Sequence, residues 1–267
     1  MKNRRREPVD EQDAQVAREM RNKSRRSFLV MGIGAAAGFA GWKWLTARPE
    51  GADLPRPLRR TLEFNGKLGE SYFEEKSLTP TFPRDMARMP RVNGEEGMSV
   101  GFDPVTWRMY VTGAGRARSF TLEEIQRLPR VDMTTEHKCI EGWSTVVNWT
   151  GARLSDFAAA YKLATRSGTS PDLRTRPRDL LRYVGLETPD GGYYVGMDMP
   201  SALHPQTLLC YEMNGKPLSI SHGAPLRLVT TVKYGIKSIK RIGSLTFTDD
   251  RPRDFWAEQG YDWYAGL

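Results

Sequence analysis

Cysteine and histidine are scarce in this chain, with two and three residues respectively among 267. Two thiols, Cys139 and Cys210, are too few for a disulfide framework, although they could form one bridge. There is no haem motif and no set of iron–sulfur cysteines, so any electrons the protein handles must be exchanged with a partner. His137, His204 and His222 lack the spacing of a zinc site. No glycine-rich nucleotide fingerprint follows a predicted strand, and the body of the chain has no internal repeat or low-complexity tract. A strong charge field is missing as well. Of the net charge of +8, half belongs to residues 1–27, which hold nine Lys/Arg against five Asp/Glu. In the remaining body the cations are scattered among acids, which argues against a nucleic-acid partner. What is present is 39% hydrophobic residues, enough to build one sizeable core.

The basic arm, residues 1–27, ends in Ser24-Arg25-Arg26-Ser27 and runs into Phe28-Leu29-Val30, the start of an apolar stretch over residues 28–45 that is rich in Gly and Ala. The serine before the arginine pair and the Phe-Leu after it resemble a twin-arginine export signal. That resemblance implies the twin-arginine export machinery as a partner and an extracytoplasmic, periplasmic location. The competing reading is a positive flank of an ordinary membrane helix. Gly38-Phe39-Ala40 offers small residues for cleavage. Residues 28–45 carry only Lys43 as a charge and approach the ~20 residues of a bilayer span, so an uncleaved membrane anchor stands beside a cleaved signal. Residues 46–58, with three prolines and Gly51, read as a linker, which leaves residues 59–267 as one catalytic domain.

Within that domain the alternation of residues 107–112 predicts a strand, and Thr121-Leu122-Glu123-Glu124 is a capping box opening a short helix that Pro129 stops. Residues 131–140 read as extended. Leu154, Phe157, Ala158 and Tyr161 share one face of a predicted helix over residues 154–163. Hairpins are predicted around Pro189-Asp190-Gly191-Gly192, between residues 182–187 and 193–197, and around Asn214-Gly215, between 207–213 and 218–220. Strands over 226–232 and 239–248 complete a half with few helices. The class is therefore α+β and not a doubly wound parallel sheet.

The chemistry centres on Cys139, placed after a predicted strand in His137-Lys138-Cys139-Ile140-Glu141-Gly142-Trp143-Ser144, where a turn at Gly142 would leave it near a cleft. A thiolate there, with Lys138 and His137 lowering its pKa, could be a nucleophile or a soft-metal ligand; a buried structural thiol or a bridge to Cys210 is the alternative. The stretch from Cys139 to Gly151 resembles the metal-binding segment of the molybdopterin catalytic subunits of bacterial methionine-sulfoxide reductases, which have the sulfite-oxidase fold. Further matches follow in the same order: His204-Pro205, Asn214-Gly215-Lys216-Pro217-Leu218, Gly223-Ala224-Pro225-Leu226-Arg227-Leu228 and Lys233-Tyr234-Gly235-Ile236-Lys237-Ser238-Ile239-Lys240. Together they span roughly residues 60–264.

The resemblance implies a mixed-sheet, sulfite-oxidase-type molybdopterin-binding fold and a Mo-molybdopterin cofactor, one molybdenum and one pterin, with Cys139 as the metal ligand. It implies that Arg227 binds the pterin phosphate, that Ser238, Ile239 and Lys240 form a second cradle, and that Thr188 is a further pterin contact. Glu141 matches an acid of the reductases and would assist protonation to water with a raised pKa, on the same side of a strand as Cys139; an ion pair is the alternative. His222 stands where the reductases have Asn and could substitute as a donor. The reductases' Asn-rich pterin contact does not align with Thr79-Pro80-Thr81-Phe82, and the segment from Glu187 to His204 is shorter than theirs. The implied activity is oxygen-atom transfer, reducing an S-oxide such as methionine sulfoxide or a related small-molecule or side-chain oxide, with a membrane b-type cytochrome as electron partner. The alternatives are sulfite-oxidase-like oxidation and a cofactor-free exported binding domain.

Overall fold

The computed structural model describes residues 11–46, 50–51, 54–74, 76–99 and 101–267. Residues 1–10 of the basic arm, and residues 47–49 and 52–53 of the expected linker, lie outside the described residues. The chain divides into two compact units, residues 1–58 and 59–267. The first contains α1 (Glu11–Thr46) and a bridge between β1 (Glu50–Gly51) and β2 (Leu54–Pro55). The apolar stretch expected over 28–45 is thus the last part of a longer helix that begins in the basic arm, where residues 11–27 contain neither Gly nor Pro to stop it. No helix among the described residues is long and apolar enough to cross a membrane; in α1 the glycines at 32, 34, 38 and 41 stand where a span would carry Leu, Ile or Val.

The linker reading fails at its C-terminal end, because α2 (Arg56–Tyr72) starts there. Pro57 lies in its first turn, where a missing N–H removes no intrahelical bond, so the proline opens a helix here instead of marking a flexible link. Over residues 59–72 the helix lies on the catalytic unit: Arg59 donates to the Ala257 carbonyl at 2.7 Å. Gly66 and Gly69 let it approach Asp262 and Tyr264 so closely that an added Cβ would sit 2.9 and 3.1 Å from their atoms.

Two sheets organise the catalytic unit. One is mixed, in the order β4 (Arg116–Phe120), β3 (Met109–Gly113), β12 (Ser244–Thr248), β7 (Tyr183–Glu187), β8 (Tyr194–Asp198), with β12 parallel to β3 and the other pairs antiparallel. The other is antiparallel: β5 (Arg130–Lys138), β6 (Ser144–Arg153), β9 (Thr207–Met213), then β10 (Lys216–Pro217) and β11 (Arg227–Thr230) both on the far side of β9. The first expected hairpin forms as β7–β8. The second is cut to two residues on its return arm, since Leu218 makes one bond to Tyr211 and a 3-10 turn begins at Ile220. The strand expected over 239–248 is also shorter, because residues 235–243 are irregular and Ile239 and Ile242 are anchored individually to Leu228 and Leu226.

The main core lies between the mixed sheet, the short helices and one face of the antiparallel sheet, with Phe120, Phe157, Leu186, Met197, Leu228 and Leu245 almost wholly buried. Thr121 closes the predicted capping box on α3 (Leu122–Gln126), α4 (Leu154–Tyr161) buries Leu154, Phe157 and Ala158 in this core, and α5 (Met199–Ala202) follows β8. A second cluster around Trp149, Leu208 and Cys210 backs the other face of the antiparallel sheet. Gly151 sits at the register irregularity between β6 and β9, where a Cβ would stand 2.3 Å from the Leu209 carbonyl oxygen.

Candidate active site

The β5–β6 hairpin turns over at Cys139. Its N–H donates to the Trp143 carbonyl at 2.9 Å, and its own carbonyl accepts from Gly142 N–H at 3.1 Å. Gly142 has φ +88°, left-handed backbone that residues with a Cβ rarely adopt, so the turn depends on this glycine. The turn leaves Cys139 half-buried and free, and Cys210, fully buried, is also free, which excludes a bridge between them. The Asn93 amide donates toward the Cys139 sulfur at 3.8 Å. Because β5 ends at Lys138, Glu141 lies in the turn and not in a strand. Its carboxylate accepts from the Trp143 indole N–H at 3.0 Å. That bond, with a second from Asn93, holds the carboxyl below its ordinary range, the reverse of the raised value expected for a stored proton.

Behind the turn lies a buried floor. Arg227, at the start of β11, donates to the carbonyls of His222 at 3.2 Å and Ser238 at 3.0 Å, and its guanidinium lies 5.1 Å from the centre of the Trp149 ring. Burial lowers its pKa to about 10. Lys240 donates to the carbonyls of Asn93 and Gly94, and burial, then the charge of Arg227, lowers it to about 8. Among the described residues neither cation makes an ion pair. His222 is held between the Ser219 hydroxyl at 2.9 Å and the Pro90 carbonyl at 3.3 Å. His137 is driven down to about 4 by burial and then by Arg227 and Lys240. It is therefore neutral near pH 7 and cannot serve as the cation expected to activate the thiol. Lys138 does not do so either, since it pairs with Glu136 at 3.8 Å and is absent from the cavity wall around Cys139.

One cavity is lined by Cys139, Glu141, His222, Arg227, Ser238 and Lys240 together. Two predicted residues are not on its wall. Thr188 is buried in the β7–β8 turn, where its hydroxyl donates to Asp190 at 2.7 Å and accepts from Tyr193 N–H at 3.1 Å. Ile239 is a core residue. The backbone cradle is also reduced, because Ser238 N–H is spent on the Gly235 carbonyl and Ile239 N–H on that of Lys237. His204 caps a turn, accepting from Gln206 N–H at 3.2 Å. Sequence reasoning missed two groups that also line the cavity, Arg91, Asn93 and Glu96 from one segment and Tyr193, Trp256 and Tyr261 from others. The first group sits in a stretch with no periodicity, and the second becomes adjacent to Cys139 only through the tertiary fold.

The donor set fits a molybdopterin. A buried cation without a counter-ion is unfavourable, and Arg227, with the partly buried Lys240 beside it on the same cavity lining, is what an anionic phosphate would satisfy. A free, half-buried thiol beside them is the soft ligand that a redox metal takes.

The family model for the oxidoreductase molybdopterin-binding domain matches residues 97–256. A protein of Azospira oryzae, described as a protein-methionine-sulfoxide reductase subunit, is 33% identical over 210 residues, covering 76% of this chain and 73% of that protein. The protein-methionine-sulfoxide reductase catalytic subunit MsrP of Campylobacter jejuni is 30% identical over 179 residues, covering 64% of this chain and 59% of that protein, so the chain spans less than two thirds of its length. Among solved structures, the sulfane dehydrogenase SoxCD of Paracoccus pantotrophus superposes with a TM-score of 0.47 at 19% identity, over 67% of this chain and 50% of that one. By the matched domain and the extent of the Azospira likeness, this chain belongs to the molybdopterin-binding oxidoreductases, molybdenum enzymes whose cofactor is Mo-molybdopterin.

Proposed function

We propose that this enzyme reduces an S-oxide, taking two electrons and two protons to release the sulfide and one water. The observation that carries the reading is the pairing of a free Cys139 with two cations that make no ion pair among the described residues, the buried Arg227 and the partly buried Lys240, in one cavity. The S-oxide direction is supported by the names of the reductase relatives. Bound there, the molybdenum centre supplies two-electron oxygen-atom exchange. The chain's own residues do the rest. Cys139 would offer the sulfur ligand and Arg227 and Lys240 would hold the phosphate, whereas His222, kept neutral by burial, has both ring nitrogens engaged by Ser219 and Pro90 and lines the floor without the free donor expected of it. Glu141, ionised and exposed, fixes Trp143 at the cavity mouth, and the protons come from solvent reaching that mouth.

The proposal includes export through the Ser24-Arg25-Arg26-Ser27-Phe28-Leu29 segment to the periplasm, and one-electron delivery by a membrane b-type cytochrome, since the chain has no redox centre of its own besides the cofactor. The test supplies a reduced viologen with a panel of sulfoxides and N-oxides, and separately sulfite with an oxidised acceptor. Turnover of sulfoxides is expected. Turnover of sulfite alone would reverse the direction and leave the cofactor in place.

A further inference from the structure

The cavity grades from a buried cationic floor to an exposed aromatic rim. Arg227, Ser238 and His222 are between 4% and 6% exposed, whereas Tyr261, which lines the same cavity, is 38% exposed. Trp256 and Trp143 are partly exposed, and Cys139 is half-buried between the extremes. Arg227 and Cys139, the residues that would hold the cofactor, belong to the less exposed part of the lining, and the exposed rings offer neither a metal ligand nor a charge.

The rim is rigid for reasons that can be traced. Trp256 belongs to α6 (Phe255–Glu258), which Asp254 caps by accepting from Ala257 N–H at 3.0 Å. The same carboxylate pairs with buried Lys237 at 2.5 Å and accepts from Gly196 N–H at 3.1 Å, tying the turn to β8. Tyr261 packs edge-on against Trp256, with ring centres 5.3 Å apart, and its N–H donates to the Trp256 carbonyl at 2.9 Å. Across the mouth, the charged groups are turned onto an aromatic ring: Glu141 accepts from Trp143, and Arg91 lies 5.8 Å from its centre. An incoming molecule therefore meets ring faces and edges, surfaces that attract sulfur and apolar carbon.

We propose that Trp256 and Tyr261 determine specificity, selecting S-oxides with an aromatic or long alkyl substituent over compact hydrophilic ones. This assignment rests on the S-oxide reading above. The reaction is unchanged: the S–O bond breaks, two electrons from the donor and two protons yield sulfide and water, and only the contact made by the substituent differs.

The experiment measures kcat/KM for methyl phenyl sulfoxide and for dimethyl sulfoxide, with reduced viologen as the electron source, in the parent, Tyr261→Ala and Trp256→Leu. Molybdenum and pterin contents are determined for each preparation. The parent is expected to prefer the phenyl compound by about tenfold or more, the discrimination an apolar pocket gives for a small difference in contact. Each variant, fully loaded, should lose about tenfold of that preference, through a rise in KM for methyl phenyl sulfoxide larger than any change in dimethyl sulfoxide kinetics. A parent without preference, loaded variants that lose both substrates equally, or variants that lose the cofactor would each overturn the assignment. A loaded parent that reduces neither sulfoxide overturns the S-oxide reading, and the assignment falls with it; that result is seen in the parent alone.

Discussion

Replacing Arg227 with Met separates what the guanidinium does for the fold from what it does for the cofactor. Burial takes its pKa from 12.5 to about 10, against a smaller opposing effect of Cys210. A base lowered that far is disfavoured in its charged form by roughly 3 kcal/mol. Below pH 10 the folded chain carries this penalty and the unfolded chain does not, so removing the charge favours folding across the neutral range. Against that, the carbonyls of His222 and Ser238 lose their donor, which costs about 1–3 kcal/mol each when they stay dry. The two effects are of similar size. Cofactor-free Arg227→Met should therefore melt within about 5 °C of the cofactor-free parent, given a few degrees per kcal/mol for a domain this large. In the loaded enzyme the phosphate loses a charged partner it cannot replace, about 3–5 kcal/mol, so cofactor affinity should fall a hundredfold or more. The assay pairs thermal melts of both proteins made in a pterin-deficient host with molybdenum and pterin contents from a competent one. Equal cofactor content in variant and parent, or a cofactor-free variant that unfolds far below its parent, would refute the reasoning.

Cys139→Ser should keep the fold, since the turn rests on backbone bonds and on Gly142, yet abolish S-oxide reduction, because a hydroxyl is a poor substitute for a soft thiolate; a fully active serine variant excludes the ligand role. Gly151→Ala should destabilise the catalytic unit by about 2 kcal/mol or more, as its Cβ meets the Leu209 carbonyl; an unchanged urea midpoint would show that the sheet yields there. Lys240 is charged below about pH 8 and neutral above it, so sulfate binding to the cofactor-free protein should weaken as pH rises through that value, and Lys240→Met should flatten the profile measured by calorimetry. Arg25→Lys with Arg26→Lys keeps the charge but should stop export, checked by cell fractionation; unchanged periplasmic accumulation would reduce the pair to a positive flank.

Local chemistry made some elements legible and misplaced others. The capping box at Thr121 and the turn at Gly142 could be read directly, because each depends on residues within a few positions of one another. Pro57 misled for a related reason: a proline in the first turn of a helix and a proline in a linker look alike until the packing of Gly66 and Gly69 on Tyr264 is known. Thr188 shows the limit of a motif. Its hydroxyl is consumed by Asp190 and Tyr193 within its own hairpin, and no pattern of residue types reveals that competition.

The floor and the rim of the cavity differ in the same way. Each floor residue lies in a short stretch that carries its own signature, at the end of β5, the start of β11 or the turn before β12, so sequence order suffices to name it. The rim is built by pairing distant pieces: Trp143 from the β5–β6 turn, Arg91 from a segment without periodicity, Trp256 from a helix held down by the buried Lys237–Asp254 pair, and Tyr261 from the turn that follows it. None of these residues is unusual alone. The rim's identity depends on which rings face the same opening, and that is settled by the two sheets and the position of α6. Binding the cofactor and choosing the substrate are accordingly carried by different kinds of information in this chain. Substitutions that spare every motif residue can still change what the enzyme accepts.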